Sequence, residues 1–134
     1  MDEKNERFVL AFFEKWNSND VEGIISDFAQ DAVYQNMPTP PMRGIAEIRE
    51  FLEAFFSAFQ ISIHTTTIAS SGEMVLTERD DILRGEAGRC DLPIMGVMRV
   101  VDGKIIEWRD YFDSRAAEGF TVEDAAEQSE NSRP

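Results

Sequence analysis

The chain has 134 residues, 43% of them hydrophobic, and its 26 acidic against 13 basic residues give a net charge of −13. That length and apolar content suit one domain with a real core, and the acidity argues against nucleic acid or an anionic membrane surface as a partner. One cysteine and one histidine exclude an internal disulfide and argue against a zinc site; with a charged Met1 end and no apolar run of ~18 residues, the expected setting is cytoplasmic, with no membrane span, metal or cofactor.

In NERFVLAFFEKW, Phe8, Val9, Phe12, Phe13 and Trp16 recur at helical spacing. DVEGIISDFA reads as a second helix, with Asn19 or Asp20 as its cap and Val21, Ile24, Ile25 and Phe28 inward. AVYQNMP is a short strand ended by proline. TPPMRG then leads into a third helix with Ile45, Ile48, Leu52, Phe55, Phe56 and Phe59 on one side. Beyond it the chain changes character. ISIHTTTIA, EMVLTERDDIL, LPIMGVMRVV and KIIEWRDYFD are β-rich runs joined by SSG, RGEAGR and DG, which predicts an antiparallel meander. Met74, Met95 and Met98 serve first as core filling and second as adaptable pocket lining. Residues 1–114 make a single domain, and 115–134 a polar tail with room for a short helix near Val122 and a frayed end. The order α, α, β, α, then strands is an α+β layout. A curved sheet wrapping the helices gives a conical roll with an apolar pocket, a container for a small hydrophobic molecule.

Three groups of polar residues fall where apolar ones are expected. In IIEWRDYFDS, strand alternation puts Ile106, Trp108, Asp110 and Phe112 on one face, so a carboxylate shares the side of three large apolar residues. Burying it is costly unless it is paired or the cost serves a task. In VLTERDDIL, one face carries Val75, Thr77, Arg79, Asp81 and Leu83, and the other carries Met74, Leu76, Glu78, Asp80 and Ile82. Arg79 and Asp81 at i and i+2 fit one pocket, where a guanidinium can hold two carboxylates. Tyr34 and Asn36 share a strand face and supply a hydroxyl and an amide for holding a water. Singly, each has a plainer explanation: an ion pair at the rim, an edge-strand polar group, a carboxylate satisfying a backbone donor. His64 reads as a half-exposed strand residue and Cys90 as a small core or loop residue. Together, two carboxylates and one arginine in an apolar hole form an acid–base site whose two acids take different protonation states. Neither a G-x-S-x-G elbow nor a His–Cys pair competes with it.

These residues resemble the limonene-1,2-epoxide hydrolase family, within the NTF2-like or SnoaL-like α+β folds. The resemblance runs from the first helix to about Asp113 and rests on YQNMP, TERDDIL, MGVMRVVDGKIIEWRDYFD and their spacing. It implies that Asp110 is a general base acting on water, that Tyr34 and Asn36 help hold that water, that Asp81 is the general acid, and that Arg79 bridges the two aspartates. It also implies a one-step hydrolysis to a vicinal diol, pocket walls from Leu83, Leu92, Ile94 and Phe112, a small apolar epoxide as partner, and a homodimer. The last hairpin leaves its register open. A two-residue Asp102-Gly103 loop puts Met95 opposite Asp110, and a three-residue loop with a glycine bulge puts Ile94 there; the resemblance favours Ile94. The rival expectations are a ketosteroid-isomerase-like or polyketide-cyclase-like enzyme on the same fold, and a non-catalytic binding module. The Arg79-x-Asp81 bridge with the Tyr34 and Asn36 pair fits hydrolysis better than isomerisation, and a binding module has no need of an arginine between two inward aspartates.

Overall fold

Helix α1 (Glu3–Asn17) buries Val9, Phe12, Phe13 and Trp16, the stripe that its spacing predicts. Residues 3–131 are described by the computed structural model; the expected frayed end lies partly outside them. Asp20 caps α2 (Val21–Ser26) by accepting from the Gly23 amide at 2.9 Å, so of the two candidate caps the aspartate takes the position. Strand β1 (Phe28–Asn36) is longer than the run AVYQNMP, because the chain extends directly after α2 and starts β1 at Phe28. A two-residue strand, β2 (Met42–Arg43), precedes α3 (Gly44–Ala58). Ile48, Leu52 and Phe55 face inward from α3, while Phe59 is buried just past its end.

Four strands follow: β3 (Gln60–Ser71), β4 (Met74–Gly85), β5 (Gly88–Val101) and β6 (Lys104–Tyr111). They pair antiparallel in sequence order, and β1 joins the far side of β6 in parallel, giving the order β2-β1-β6-β5-β4-β3. The sheet is therefore mixed, an α+β roll. Pro93 interrupts no ladder on the β6 side, since β6 pairs with β5 only from Met95 onward. A 3₁₀ turn (Ser114–Ala117) and α4 (Val122–Asn131) complete the described chain. No helix among the described residues is long and apolar enough to cross a membrane.

The hairpin between β5 and β6 corrects both register expectations. The loop is Asp102-Gly103, with Val101 opposite Lys104, but the register shifts before Arg99 meets Glu107. The extra residue falls in β6, at Ile106, so Asp110 stands opposite Gly96 rather than Met95 or Ile94. The same bulge breaks the alternation: Ile105 is fully buried and Ile106 only half-buried, while Trp108 and Asp110 keep the inward face. Met98 fills the core, but Met95 points outward and is 49% exposed.

Between sheet and helices lies an aromatic centre. Trp108 stacks on Tyr34 with ring centres 4.2 Å apart and planes 8° from parallel. Phe12 and Trp16 from α1 meet Trp108 edge-on at 5.4 Å and 5.6 Å. Each such side chain contributes about 1.5–3 kcal/mol by leaving water. Their rigidity fixes the floor on which the polar groups stand.

Candidate active site

Alternation along β4 sends Thr77, Arg79 and Asp81 inward with Val75 and Leu83, while Glu78 and Asp80 face out. Arg79 is 1% exposed. Its guanidinium donates to Asp110 through Nη1 to Oδ1 at 3.0 Å and Nη2 to Oδ2 at 2.8 Å. It also donates to Asp81 through Nε to Oδ1 at 3.2 Å and Nη2 to Oδ2 at 2.9 Å. Nη1 also reaches Thr77 Oγ1 at 3.3 Å. The guanidinium carbon lies 4.7 Å from the centre of the Phe13 ring, so its face is closed by an aromatic wall.

Asp110 has a further donor that alternation did not reveal. Trp108 Nε1 gives a hydrogen bond to Oδ1 at 2.7 Å. Parallel pairing then sets β1 alongside, with Tyr34 next to Trp108 and Asn36 next to Asp110. Tyr34 Oη donates to Asn36 Oδ1 at 3.4 Å, and the Met37 amide donates to the Asp110 carbonyl at 2.9 Å, tying the end of β1 to the base of the site.

One arginine between two buried carboxylates leaves one negative charge uncompensated if both acids ionise. Burial raises the pKa of Asp81 above its ordinary value, and the pull of Arg79 in the other direction does not cancel this. A proton on Asp81 makes the group of three neutral. Burial, and then the Asp110 charge, push the Tyr34 hydroxyl well up, so it stays protonated and able to donate. Burial works against the Arg79 charge, but Asp110 and Asp81 overcome it and hold the guanidinium above its usual range.

These groups open on a cavity of about 640 Å³. Tyr34, Asn36, Asp81 and Asp110 line it, with Leu83, Leu92, Ile94 and Phe112. Leu92 stands opposite Asp81 on β5 and Ile94 opposite Arg79, which is how the apolar walls come to flank the acids. Arg79 lies behind the wall, holding the carboxylates from the rear. The C-terminal segment, read from sequence as a polar tail, supplies Ala117, Phe120 and Val122 to the lining. Phe120 packs on Phe59 at 6.0 Å, a signal present in the sequence as a lone aromatic in a polar stretch. Gly96, Trp108 and Thr77 were missed as partners of the site. His64 is exposed, and Cys90 is buried with its thiol donating to the Ala116 carbonyl at 3.1 Å. Among the described residues, no three His, Cys, Asp or Glu cluster in a way that could hold a metal ion.

Known proteins resemble this chain to different depths. The model of the limonene-1,2-epoxide hydrolase catalytic domain matches residues 3–117. Epoxide hydrolase EphG of Mycobacterium tuberculosis is 34% identical over 107 residues, which cover 78% of this chain and 70% of that one. The solved structure of an LEH-like epoxide hydrolase from M. tuberculosis superposes with a TM-score of 0.77 at 28% identity, covering 94% of this chain and 95% of the other. A protein of ketosteroid isomerase-like fold from Catenulispora acidiphila gives a TM-score of 0.77 at 16% identity, covering 85% and 91%, and so shares the fold alone. On the match across residues 3–117 and the identity to EphG, the chain belongs to the limonene-1,2-epoxide hydrolase catalytic domain family.

Proposed function

We propose that the protein adds water to an epoxide with an apolar, cyclic, terpene-like body, giving a vicinal diol in one step without a covalent enzyme intermediate. The observation that supports this most is the single arginine clamped between two inward carboxylates at the wall of an apolar cavity. Water sits between Asp110, Tyr34 and Asn36. Asp110 takes its proton as the oxygen attacks a ring carbon, and the C–O bond to that carbon breaks. Asp81 gives its proton to the departing oxide oxygen. The cycle closes when the proton gained by Asp110 returns to Asp81 through cavity water. General base and general acid are each worth about 10²–10⁴-fold when so placed. The apolar walls select by size and shape, which discriminates weakly between ring systems.

The protein further acts as a homodimer through the outer face of the sheet. Leu76, Met95 and Tyr111 are 42%, 49% and 46% exposed there, on neighbouring strands, and contiguous apolar exposure of this kind favours self-association. The deciding experiment for the chemistry is diol formation from a panel of apolar cyclic epoxides by the unmodified protein and Asp110→Asn. Diol from the first and none from the second supports the assignment. No diol from either, across the panel, removes it. Sedimentation of the protein beside Met95→Glu tests the dimer, which is wrong if the unmodified chain runs as a monomer.

A further inference from the structure

Gly96 sits in the middle of β5, opposite Thr77 of β4 on one side and Asp110 of β6 on the other, and is buried. A central strand is a poor place for glycine, which has no side chain to pack and loses the most backbone freedom on folding. Its φ is not among the positive ones, so the backbone there accepts any L residue. What the position demands is space. A Cβ on Gly96 would overlap Asp110 Oδ1 and stand 2.8 Å from Arg79 Nη1. Those two atoms are themselves hydrogen-bonded at 3.0 Å.

Neither atom is free to step aside. Oδ1 is also held by Trp108 Nε1 at 2.7 Å, and Nη1 lies 3.3 Å from Thr77 Oγ1. Trp108 is stacked on Tyr34, and Arg79 is held by Asp81. We propose that Gly96 is a positioning residue for epoxide opening: its missing Cβ is the space in which the Asp110 carboxylate and the Arg79 guanidinium meet. This rests on the hydrolase assignment above. A methyl group there turns the carboxylate away from the water it must deprotonate. The cavity stays intact, because Gly96 is not part of its lining.

Two measurements on Gly96→Ala test this. The first is kinetic: kcat for diol formation falls by about 10²-fold or more, the effect of ångström-scale misplacement of a reacting group, while KM stays within a few-fold. Unchanged kcat in a variant whose Asp110→Asn counterpart is inactive would overturn the proposal and leave the hydrolase assignment standing. The second is thermal and needs no substrate. Gly96→Ala lowers the melting temperature of the unmodified protein and of Asp110→Asn, whose amide fills the same space, but much less that of Asp110→Ala, where the closest colliding atom is gone and Arg79 Nη1, released from its Asp110 partner, can move. An equal drop in all three backgrounds shows that the strand, not the carboxylate, requires glycine, and ends the idea. If Gly96→Ala alone does not fold, the Gly96→Ala/Asp110→Ala pair decides: a folded double variant supports the proposal and an unfolded one refutes it. If the unmodified protein makes no diol while the thermal contrast holds, the hydrolase assignment fails and takes the catalytic part of the proposal with it, but the steric relationship remains.

Discussion

Trp108 and Asp110, two residues apart on β6, are joined by a hydrogen bond of 2.7 Å from the indole Nε1 to carboxylate Oδ1. The indole fixes one oxygen and Arg79 Nη2 holds the other at 2.8 Å, so the carboxylate has a single orientation. Trp108→Phe keeps an aromatic ring for Tyr34 to stack on and removes the donor. We expect kcat to fall about 10-fold or more, since a hydrogen bond to a charged group is worth ~1.5–3 kcal/mol. Turnover equal to that of the unmodified protein in a correctly folded Trp108→Phe would show that Arg79 alone orients the base.

Asp110→Asn and Asp81→Asn preserve shape and remove the proposed base and the proposed acid in turn. Each should lose about 10²-fold or more of kcat. The losses differ in their substrate dependence. Epoxides activated enough to open without a proton should be spared in Asp81→Asn and not in Asp110→Asn. A rate panel across substrates of rising reactivity reads this, and parallel losses in the two variants would contradict separate roles.

The raised pKa of Asp81 fixes the sign of two pH effects. In the proposed role of general acid it is competent while protonated, so kcat/KM should fall as pH rises through its folded pKa. Stability follows the same direction. The unfolded chain releases this proton near the ordinary 3.8, whereas the folded protein keeps it to higher pH and so binds more protons in that window. The contribution is complete below the unfolded value and is lost as pH rises through the folded one. Asp81→Asn, permanently neutral, should flatten that part of the melting curve against pH. A steeper decline with rising pH in the variant than in the unmodified protein, across that window, would mean that Asp81 is ionised in the folded protein.

Arg79→Met leaves the buried charge of the Asp81–Asp110 pair without a counter-charge. Breaking a buried pair by removing one partner costs about 3–5 kcal/mol, and denaturant titration near neutral pH should show a loss of that order. Arg79→Lys restores the charge but not the fork that reaches both acids, so it should recover part of the stability and little turnover. Full activity in Arg79→Lys would show that charge, rather than two-pronged geometry, is what the site requires.

Phe120→Ala shortens the C-terminal wall of the cavity without touching the acids. KM for bulky epoxides should fall relative to small ones, while kcat for small ones changes little. An unchanged ranking of substrates would remove α4 and its approach from the determinants of specificity.

The Arg79–Asp81–Asp110 group was legible in the sequence because strand alternation is rigid: Arg79 and Asp81 had to share a face, and Asp110 had to share one with Trp108. Tyr34 and Asn36 were legible for the same reason. Their neighbourhood with Asp110 came only from the family resemblance, since it depends on parallel pairing of β1 with β6, and no local residue pattern records which distant strand lies alongside. The bulge at Ile106 was hidden by two isoleucines, either of which suits the core. Gly96 carried no readable signal, because the atoms that exclude a Cβ there belong to Arg79 and Asp110, distant in sequence. The short β2 carries too few residues to show a period, and one phenylalanine among polar residues gave little sign that the C-terminal segment closes a pocket.

Parallel pairing of β1 with β6 has a kinetic consequence. Asn36 is made early and Asp110 late, and β6, the strand with which β1 pairs, joins the sheet only through the last hairpin. Asn36 and Asp110 therefore come together only when the strand pairing of longest sequence separation closes, the type of contact that slows folding most. Helices and the β3–β4 hairpin can form without any catalytic competence. Recovery of turnover during refolding would then lag behind the recovery of helical signal, making the reaction itself a clock for the final step of assembly.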